Sequence, residues 1–229
     1  MAALVAGLLV AGVVAARTNP AVLGSSLFAL LRSLELAVLA VVTALPPAVL
    51  LGVWLANFAG DGWLPRAARR AFDAASTVPG VAAGLAGWLL LSDGVGDRDG
   101  TFAMTLVLAS LALPQLATAA ERALRSVPRE LVEASFAAGA SHTATLTGVS
   151  FRWASRPFAA AAAVAFGRSL AECAPLLCLA PHPGSAEPLT VALWRAPDGP
   201  GAAVTAAVLA ALAVAVTAPS RRARPEVRP

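Results

Sequence analysis

The stretch from Pro157 to Ala180 reads PFAAAAAVAFGRSLAECAPLLCLA and places one arginine and one glutamate inside an apolar run. About 20 such residues are enough to cross the hydrocarbon core of a bilayer. Arg168 stands halfway along the run, so the stretch predicts a charge near the bilayer midplane. A charge there costs roughly 2.5–3.5 kcal/mol, which makes Arg168 and Glu172 candidates for function.

Arg168 and Glu172 are four residues apart and would share one face of a helix. They either line the path of a charged substrate or form a structural pair that neutralises itself. The basic residue comes first, which is the weaker order for stabilising a helix, so the substrate path is favoured. A guanidinium matches two oxygens of a phosphate-like anion. We hypothesise that Glu172 pairs with Arg168 when the path is empty and yields when substrate arrives.

The overall composition is that of a membrane protein. The chain is 58% hydrophobic and only 13% charged, with a mean hydropathy of +0.74, whereas soluble domains carry about 25% charged residues. We predict an all-α, polytopic transmembrane bundle over residues 1–218, followed by an Arg/Pro-rich cytoplasmic tail over 219–229. The net charge of +4 comes from arginines between apolar runs, which indicates membrane topology rather than nucleic-acid binding.

About six spans are predicted from the apolar segments. They are Met1–Ala16, Leu34–Phe58, Val78–Leu91, Thr101–Ala120, Pro157–Ala180 and Ala202–Ala218. We expect the first to be a retained helix rather than a signal peptide, because no basic region precedes it. Pro46 and Pro47 predict a kink. Gly80, Gly84 and Gly87 predict close packing between helices.

Charged residues in the loops predict the orientation. With both termini in the cytoplasm, the arginines assigned to the cytoplasmic side are Arg66, Arg69, Arg70, Arg122, Arg125, Arg129, Arg152, Arg156, Arg221, Arg222, Arg224 and Arg228. Only Arg17, Arg32, Arg98 and Arg195 then lie in outer loops or at outer helix ends, which is a positive-inside distribution. Arg32 and Glu35 share a helix face, where interfacial anchoring is favoured over an entrance site.

The hydrophilic loop over residues 121–156 predicts a helix, a glycine turn and a second helix on the cytoplasmic face. Pro128 suits a first helical turn, and the negative charges of Glu130 and Glu133 suit the start of a helix. Gly139 is a natural stop, after which Ser141 caps a second short helix. The residues alone leave an ordinary solvated linker as an open alternative to a docking surface.

The spacing of this loop resembles the EAA loop of ABC importer permeases. That pattern is Glu-Ala-Ala, three residues, Gly, nine residues and an aliphatic residue. Glu133, Ala134, Gly139 and Val149 hold their places, and Ser135 replaces the second Ala. The resemblance implies that these residues couple the chain to a cytoplasmic ATPase.

Three further stretches resemble phosphate-specific ABC importer permeases of the PstA type. They are STVPGVAAGLAG at 76–87, ERALRSVPREL at 121–131 and GRSLAECAPLL at 167–177. Ala171 and Cys173 depart from the Gly and Thr of the family pattern. The resemblance implies a type I importer permease of MetI-like architecture in the bacterial plasma (inner) membrane.

The resemblance also implies the partners. These are two ABC ATPase subunits, which bind ATP and magnesium, a PstC-type second permease and an extracytoplasmic phosphate-binding protein. The chain itself is then non-catalytic, with no cofactor and no metal of its own. The nearest alternative is a permease for sulfate, molybdate or tungstate. A membrane-embedded enzyme would have Ser169 as its nucleophile, without His or Lys in helical reach, and a non-transporting scaffold is the third alternative.

Overall fold

The computed structural model describes residues 20–58, 60, 62–91, 100–179 and 187–195, where its regular structure is helical, as predicted. The helices are α1 Pro20–Val53, α2 Trp63–Ser76, α3 Gly80–Leu91, α4 Thr101–Arg125, α5 Arg129–Ala137, α6 His142–Thr145, α7 Phe151–Ala171, α8 Ala174–Leu179 and α9 Leu189–Arg195. A π-helical turn over Trp54–Phe58 continues α1, and another over Leu146–Ser150 joins α6 to α7.

Helices α1 and α4 pack along each other and form the core. Small residues allow this approach, and Ala48, Ala112 and Ala117 belong to one buried cluster. At Gly52 a Cβ atom would lie 2.4 Å from the Cβ of Ala120, so the two backbones meet there as closely as a glycine permits. Among the described residues, these two helices are long and apolar enough to cross a membrane.

Helix α1 begins well before the predicted start at Leu34 and continues through both prolines. The sequence interpretation missed this first part of the helix because several residues there are polar. Arg32 is accommodated because its Nη1 donates to Glu35 Oε2 at 2.9 Å and its Nη2 donates to Thr101 Oγ1. Its side chain is only 11% exposed, so Arg32 ties α1 to the start of α4 in addition to pairing with Glu35.

Helix α4 continues five residues past the predicted end at Ala120, because Glu121 is buried rather than solvated. Its Oε1 accepts hydrogen bonds from Arg69 Nε at 2.8 Å and from Arg125 Nε at 2.9 Å. Both arginines also donate to the Leu55 carbonyl in the π-helical turn, at 3.3 and 3.0 Å. We call these four residues the Glu121 cluster; it joins α1, α2 and α4.

The predicted third span is the second half of a bent pair. Helix α3 begins at Gly80 and meets α2 at an angle of 99°, and the sequence interpretation missed α2. Pro79 lies in the break, since proline cannot continue a helix and suits the start of the next. The predicted close packing of α3 is confirmed. A Cβ at Gly84 would lie 2.6 Å from Pro175 Cα, and one at Gly87 would lie 2.3 Å from Val107 Cγ2.

The prediction of one continuous span over residues 157–180 is wrong. Helix α7 starts earlier, at Phe151, and ends at Ala171, after which Glu172 is extended. Pro175 explains the break, because its ring would clash with the carbonyl of residue 171 in a continuing helix. The same proline is tolerated in the first turn of α8.

The predicted loop is shorter than residues 121–156, because both of its ends are helical. Glu121–Arg125 belong to α4, and Phe151–Arg156 belong to α7. The predicted spans at 1–16 and 202–218 and the tail at 219–229 lie outside the described residues.

Replacing Gly84 by Ala should destabilise the contact between α3 and α8. Its Cβ would meet backbone atoms of Pro175, and overpacking of this kind costs roughly 1–3 kcal/mol. We expect a lower thermal midpoint of the purified protein in detergent. Gly148→Ala is the matched control, because a Cβ there meets nothing within 4 Å; equal midpoints for the two variants would contradict the packing.

Replacing Glu121 by Gln should destabilise the protein through the Glu121 cluster. Each hydrogen bond to a charged group contributes about 1.5–3 kcal/mol, and Arg69 and Arg125 would lose their shared carboxylate. Glu130→Gln, on an exposed position of α5, is the control. Thermal unfolding of both variants measures the difference, and unchanged stability of the Glu121 variant would exclude a structural role for the cluster.

Candidate functional site

Two interrupted helices meet at Glu172. This residue leaves α7 in an extended conformation, with φ −70° and ψ 118°. Its Oε2 lies 3.0 Å from the place that a Cβ on Gly80 would take, so the carboxylate rests against the first residue of α3.

Arg168 lies in the last turn of α7 and contacts the other side of this carboxylate. Its Nε donates to Glu172 Oε1 at 3.4 Å. The prediction that the two residues share a helix face is wrong for Glu172, which lies beyond the helix, but the side chains still meet. Within the described residues this is the guanidinium's only hydrogen bond, so Nη1 and Nη2 are available to a ligand.

The pair lines a narrow cleft between α4 and α7, with an accessible volume of about 10 Å³. The cleft is lined by Leu108, Leu111, Ala112, Gln115, Ala165, Arg168, Ser169 and Glu172. The four lining residues from α4 lie near the middle of that helix, which runs from Thr101 to Arg125. The cleft therefore lies at mid-depth of a membrane-crossing helix. The Arg168 side chain is 49% exposed and that of Glu172 is 22% exposed, so the pair is not sealed in the core.

Helix α9 satisfies the backbone at the end of α7. Thr190 Oγ1 donates to the Glu172 carbonyl at 3.3 Å, and Cys173 donates through sulfur to the Thr190 carbonyl at 3.4 Å. The Leu189 N–H donates to Ser33 Oγ at 2.7 Å. The first two bonds hold the extended segment between α7 and α8 against α9, and the third attaches α9 to α1.

The cytoplasmic loop has the predicted helix, glycine turn and second helix. Helix α5 starts directly after Pro128 and ends before Gly139, whose φ of 83° favours glycine. Ser141 Oγ accepts from the Ala144 N–H at 3.3 Å, which is the predicted cap. Of the motif residues, Glu133, Ala134 and Gly139 are exposed.

Contacts within the loop hold α5 against the helices that follow it. Ser135 Oγ and Thr145 Oγ1 lie 2.9 Å apart. The ring of His142 stacks on that of Phe136, with 6.1 Å between the ring centroids, and meets the ring of Phe58 edge-on, with 5.6 Å between the centroids. Val149, the last motif residue, is half-buried in the π-helical turn before α7. The loop and the cleft thus lie at opposite ends of the helical segment 142–171.

Sequence reasoning missed several residues of the site. Gln115 lines the cleft, while Ser33 and Thr190 support it from other helices. A signal existed only for Gln115, a lone amide following Pro114 in an apolar run. The others depend on tertiary contacts between distant parts of the chain.

Comparison with known proteins identifies the architecture. The family model described as "Binding-protein-dependent transport system inner membrane component" matches residues 48–221. A chain of the MetNI methionine ABC transporter in an inward-facing conformation superposes with a TM-score of 0.70 and 19% identity, covering 88% of this chain and 93% of that one. The predicted MetI-like helical fold is therefore confirmed.

Curated relatives carry a more specific name. The phosphate transport system permease protein PstA of Mycobacterium leprae (strain TN) is 31% identical over 156 residues, which is 68% of this chain and 51% of that protein. The PstA protein of Xylella fastidiosa (strain Temecula1 / ATCC 700964) is 28% identical over 149 residues, covering 65% and 52%. The chain spans about half the length of these curated relatives.

The family consists of membrane components rather than enzymes that act alone, and the long apolar helices α1 and α4 agree with this. Because the family model covers most of the chain and the helical architecture matches, the chain belongs to the binding-protein-dependent transport system inner membrane components.

Proposed function

We propose that the chain is the membrane-spanning permease subunit of an ATP-driven ABC importer for inorganic phosphate. The observation that carries this proposal is the Arg168–Glu172 pair, which lines a cleft at mid-depth with two guanidinium nitrogens available. A half-exposed arginine inside a membrane bundle needs a functional reason. Phosphate is the proposed substrate because these relatives are named as phosphate permeases.

Arg168 acts as the anion-binding group in this mechanism. Its Nη1 and Nη2 form two parallel hydrogen bonds to oxygens of the anion. In the empty cleft the guanidinium is neutralised by Glu172. The incoming anion competes with this carboxylate, so the bound state is not so stable that release becomes slow.

The loop acts as the coupling surface. Helix α5 presents Glu133 and Ala134 to a groove of the cytoplasmic ATPase, and Gly139 and Ser135 maintain the turn that follows. Two ATPase subunits bind ATP and magnesium, and this chain contributes no catalytic group. A displacement of the loop reaches the cleft through the helical segment 142–171, which is about 45 Å long at 1.5 Å per residue.

The other partners follow from the same proposal. A PstC-type permease covers the open side of the cleft and completes the translocation path, and a phosphate-binding protein delivers the anion from outside. The arginine distribution orients the chain in the bacterial plasma membrane with both termini in the cytoplasm. The alternative function is a permease for another oxyanion, namely sulfate, molybdate or tungstate.

Replacing Arg168 by Gln should abolish most phosphate uptake by the reconstituted complex. Loss of one charge-assisted hydrogen bond costs about 1.5–3 kcal/mol, so we expect at least an approximately tenfold slower uptake. Arg156→Gln is the control, because it removes an exposed charge from the same helix outside the cleft. Normal uptake by an assembled Arg168 variant would rule out the proposed path.

Replacing Glu133 by Gln should weaken the docking of the chain on the ATPase without destabilising the chain. Glu133 is exposed and has no hydrogen bond or ion pair within the described residues, so its loss affects docking only. Coupling free energies between two sites typically correspond to about 5–150-fold changes in affinity. We expect the ATPase rate stimulated by the binding protein to fall at least about fivefold. Glu130→Gln on the same helix should leave that rate unchanged; equal effects of the two variants would contradict a specific coupling role.

A further inference from the structure

A large apolar crevice lies between α1, α4 and α7, at the end of the bundle that carries the loop, and the mechanism above does not use it. Its volume is about 470 Å³, within the range of about 300–1,000 Å³ that is typical of ligand pockets. Val49, Ala123 and Phe158 line it from the three helices, and every lining side chain except that of Ser155 is apolar. The crevice therefore fits an apolar ligand rather than an ion.

A second pocket of opposite chemistry adjoins this crevice. It has a volume of about 300 Å³ and lies between the base of the bundle and the loop. Leu124 lines both cavities, and Ser150 of the second pocket directly precedes Phe151 of the crevice. The lining of the second pocket includes Arg125 and Arg129 but no carboxylate. We call it the basic pocket.

The basic pocket has hydrogen-bond donors to offer a ligand. Arg129 is exposed, and its side chain has no hydrogen bond or ion pair within the described residues. Arg125 keeps Nη1 available after its bonds in the Glu121 cluster through Nε and Nη2. His142 also lines the pocket, and an imidazole can donate from a ring nitrogen. Arginine forks of this kind match the oxygens of a phosphate group.

We propose that the two cavities together bind one anionic phospholipid of the surrounding membrane. An acyl chain occupies the crevice, and the phosphate group lies at Arg129 and Arg125. Basic pockets between transmembrane helices recognise anionic lipid headgroups, and burial of the chain against apolar side chains stabilises the complex. This inference needs only the membrane location of the family and not phosphate as the transported substrate.

The combination of the two cavities favours a lipid over other occupants. An apolar helix would fill the crevice but would bring no anion to the basic pocket, whereas free phosphate would leave the crevice empty. A zwitterionic lipid carries an ammonium group, for which the basic pocket has no carboxylate. A bound anionic lipid would join α5 through Arg129 to the bundle through Phe158, and so would restrain the first turn of the helix that carries Glu133.

The test titrates lipid into the purified protein after its own lipids have been removed in detergent. Phosphatidylglycerol, phosphatidylcholine with the same acyl chains, and glycerophosphoglycerol, which is the first headgroup without chains, are compared. Native mass spectrometry counts the lipids bound per chain, and hydrogen exchange of residues 129–137 reads the site itself. We expect one tightly bound phosphatidylglycerol, which protects α5, and at least about fivefold weaker binding of phosphatidylcholine.

Two variants with matched controls locate the lipid. Arg129→Gln should raise the phosphatidylglycerol concentration for half occupancy about fivefold, whereas Arg152→Gln, an exposed position that lines neither cavity, should not. Ala159→Trp fills the crevice from an exposed lining position and should abolish binding. Val164→Trp adds bulk at an exposed position of the same helix outside the crevice and should leave binding unchanged.

Each alternative occupant has its own signature. Equal binding of the two lipids, or equal effects of Arg129→Gln and Arg152→Gln, would indicate unspecific lipid contact and overturn the proposal. Protection of α5 by glycerophosphoglycerol as strong as that by the whole lipid would assign the basic pocket to a free phosphate compound instead. A photoreactive amino acid in place of Ala159 that crosslinks to residues 202–218 or to a second permease, with no lipid bound, would assign the crevice to a helix. Arg129→Gln decides alone if Ala159→Trp does not fold.

Discussion

The carboxylate of Glu172 stands where two interrupted helices meet, and the backbone of such interruptions must find partners inside the protein. In a bilayer there is no water to satisfy a free N–H or carbonyl group. At the end of α7, Thr190 Oγ1 donates to the Glu172 carbonyl and the Cys173 thiol donates to the Thr190 carbonyl. Ser33 accepts from Leu189 at the start of α9. Helix α9 is therefore part of the site, because without it the extended segment has no partner there.

This constraint distinguishes two parts of the chain, namely a frame of long, closely packed helices and the interrupted helices beside the cleft. Helices α1 and α4 form the frame, where Ala48, Ala112 and Gly52 keep the backbones in contact over many turns. Irregular backbone is tolerated at membrane depth only where it is buried or lines a cavity. The interrupted helices meet that condition, because Glu172 adjoins both the start of α3 and the cleft. The frame thus allows a charged pair to lie at a depth where lipid would penalise it.

Local chemistry made the loop and the charged pair predictable. Pro128, Gly139 and Ser141 specify caps and turns through neighbouring residues alone, so α5 and its stop followed from the sequence. Apolar runs revealed α4 but not its true end, since Glu121 looks like a loop residue until Arg69 is seen to pair with it. Gln115 and α9 were missed, and Gly80 was predicted only as a packing residue, because their roles at the site depend on contacts between segments that are distant in the chain.

The break after Ala171 also determines how the loop and the cleft can influence each other. Arg168 belongs to the helical segment 142–171, whereas Glu172 is held through its carbonyl by Thr190 and through its side chain beside Gly80. The Glu172 N–H also donates to the Arg168 carbonyl at 3.1 Å, so its backbone would move with the last turn of that segment. Its carbonyl and its carboxylate, in contrast, contact other helices. A rotation or shift of the segment would therefore disturb these contacts and change the position of the carboxylate in the cleft. The interruption is what gives Glu172 contacts on both sides, so it links a displacement at the loop to the charge presented in the cleft.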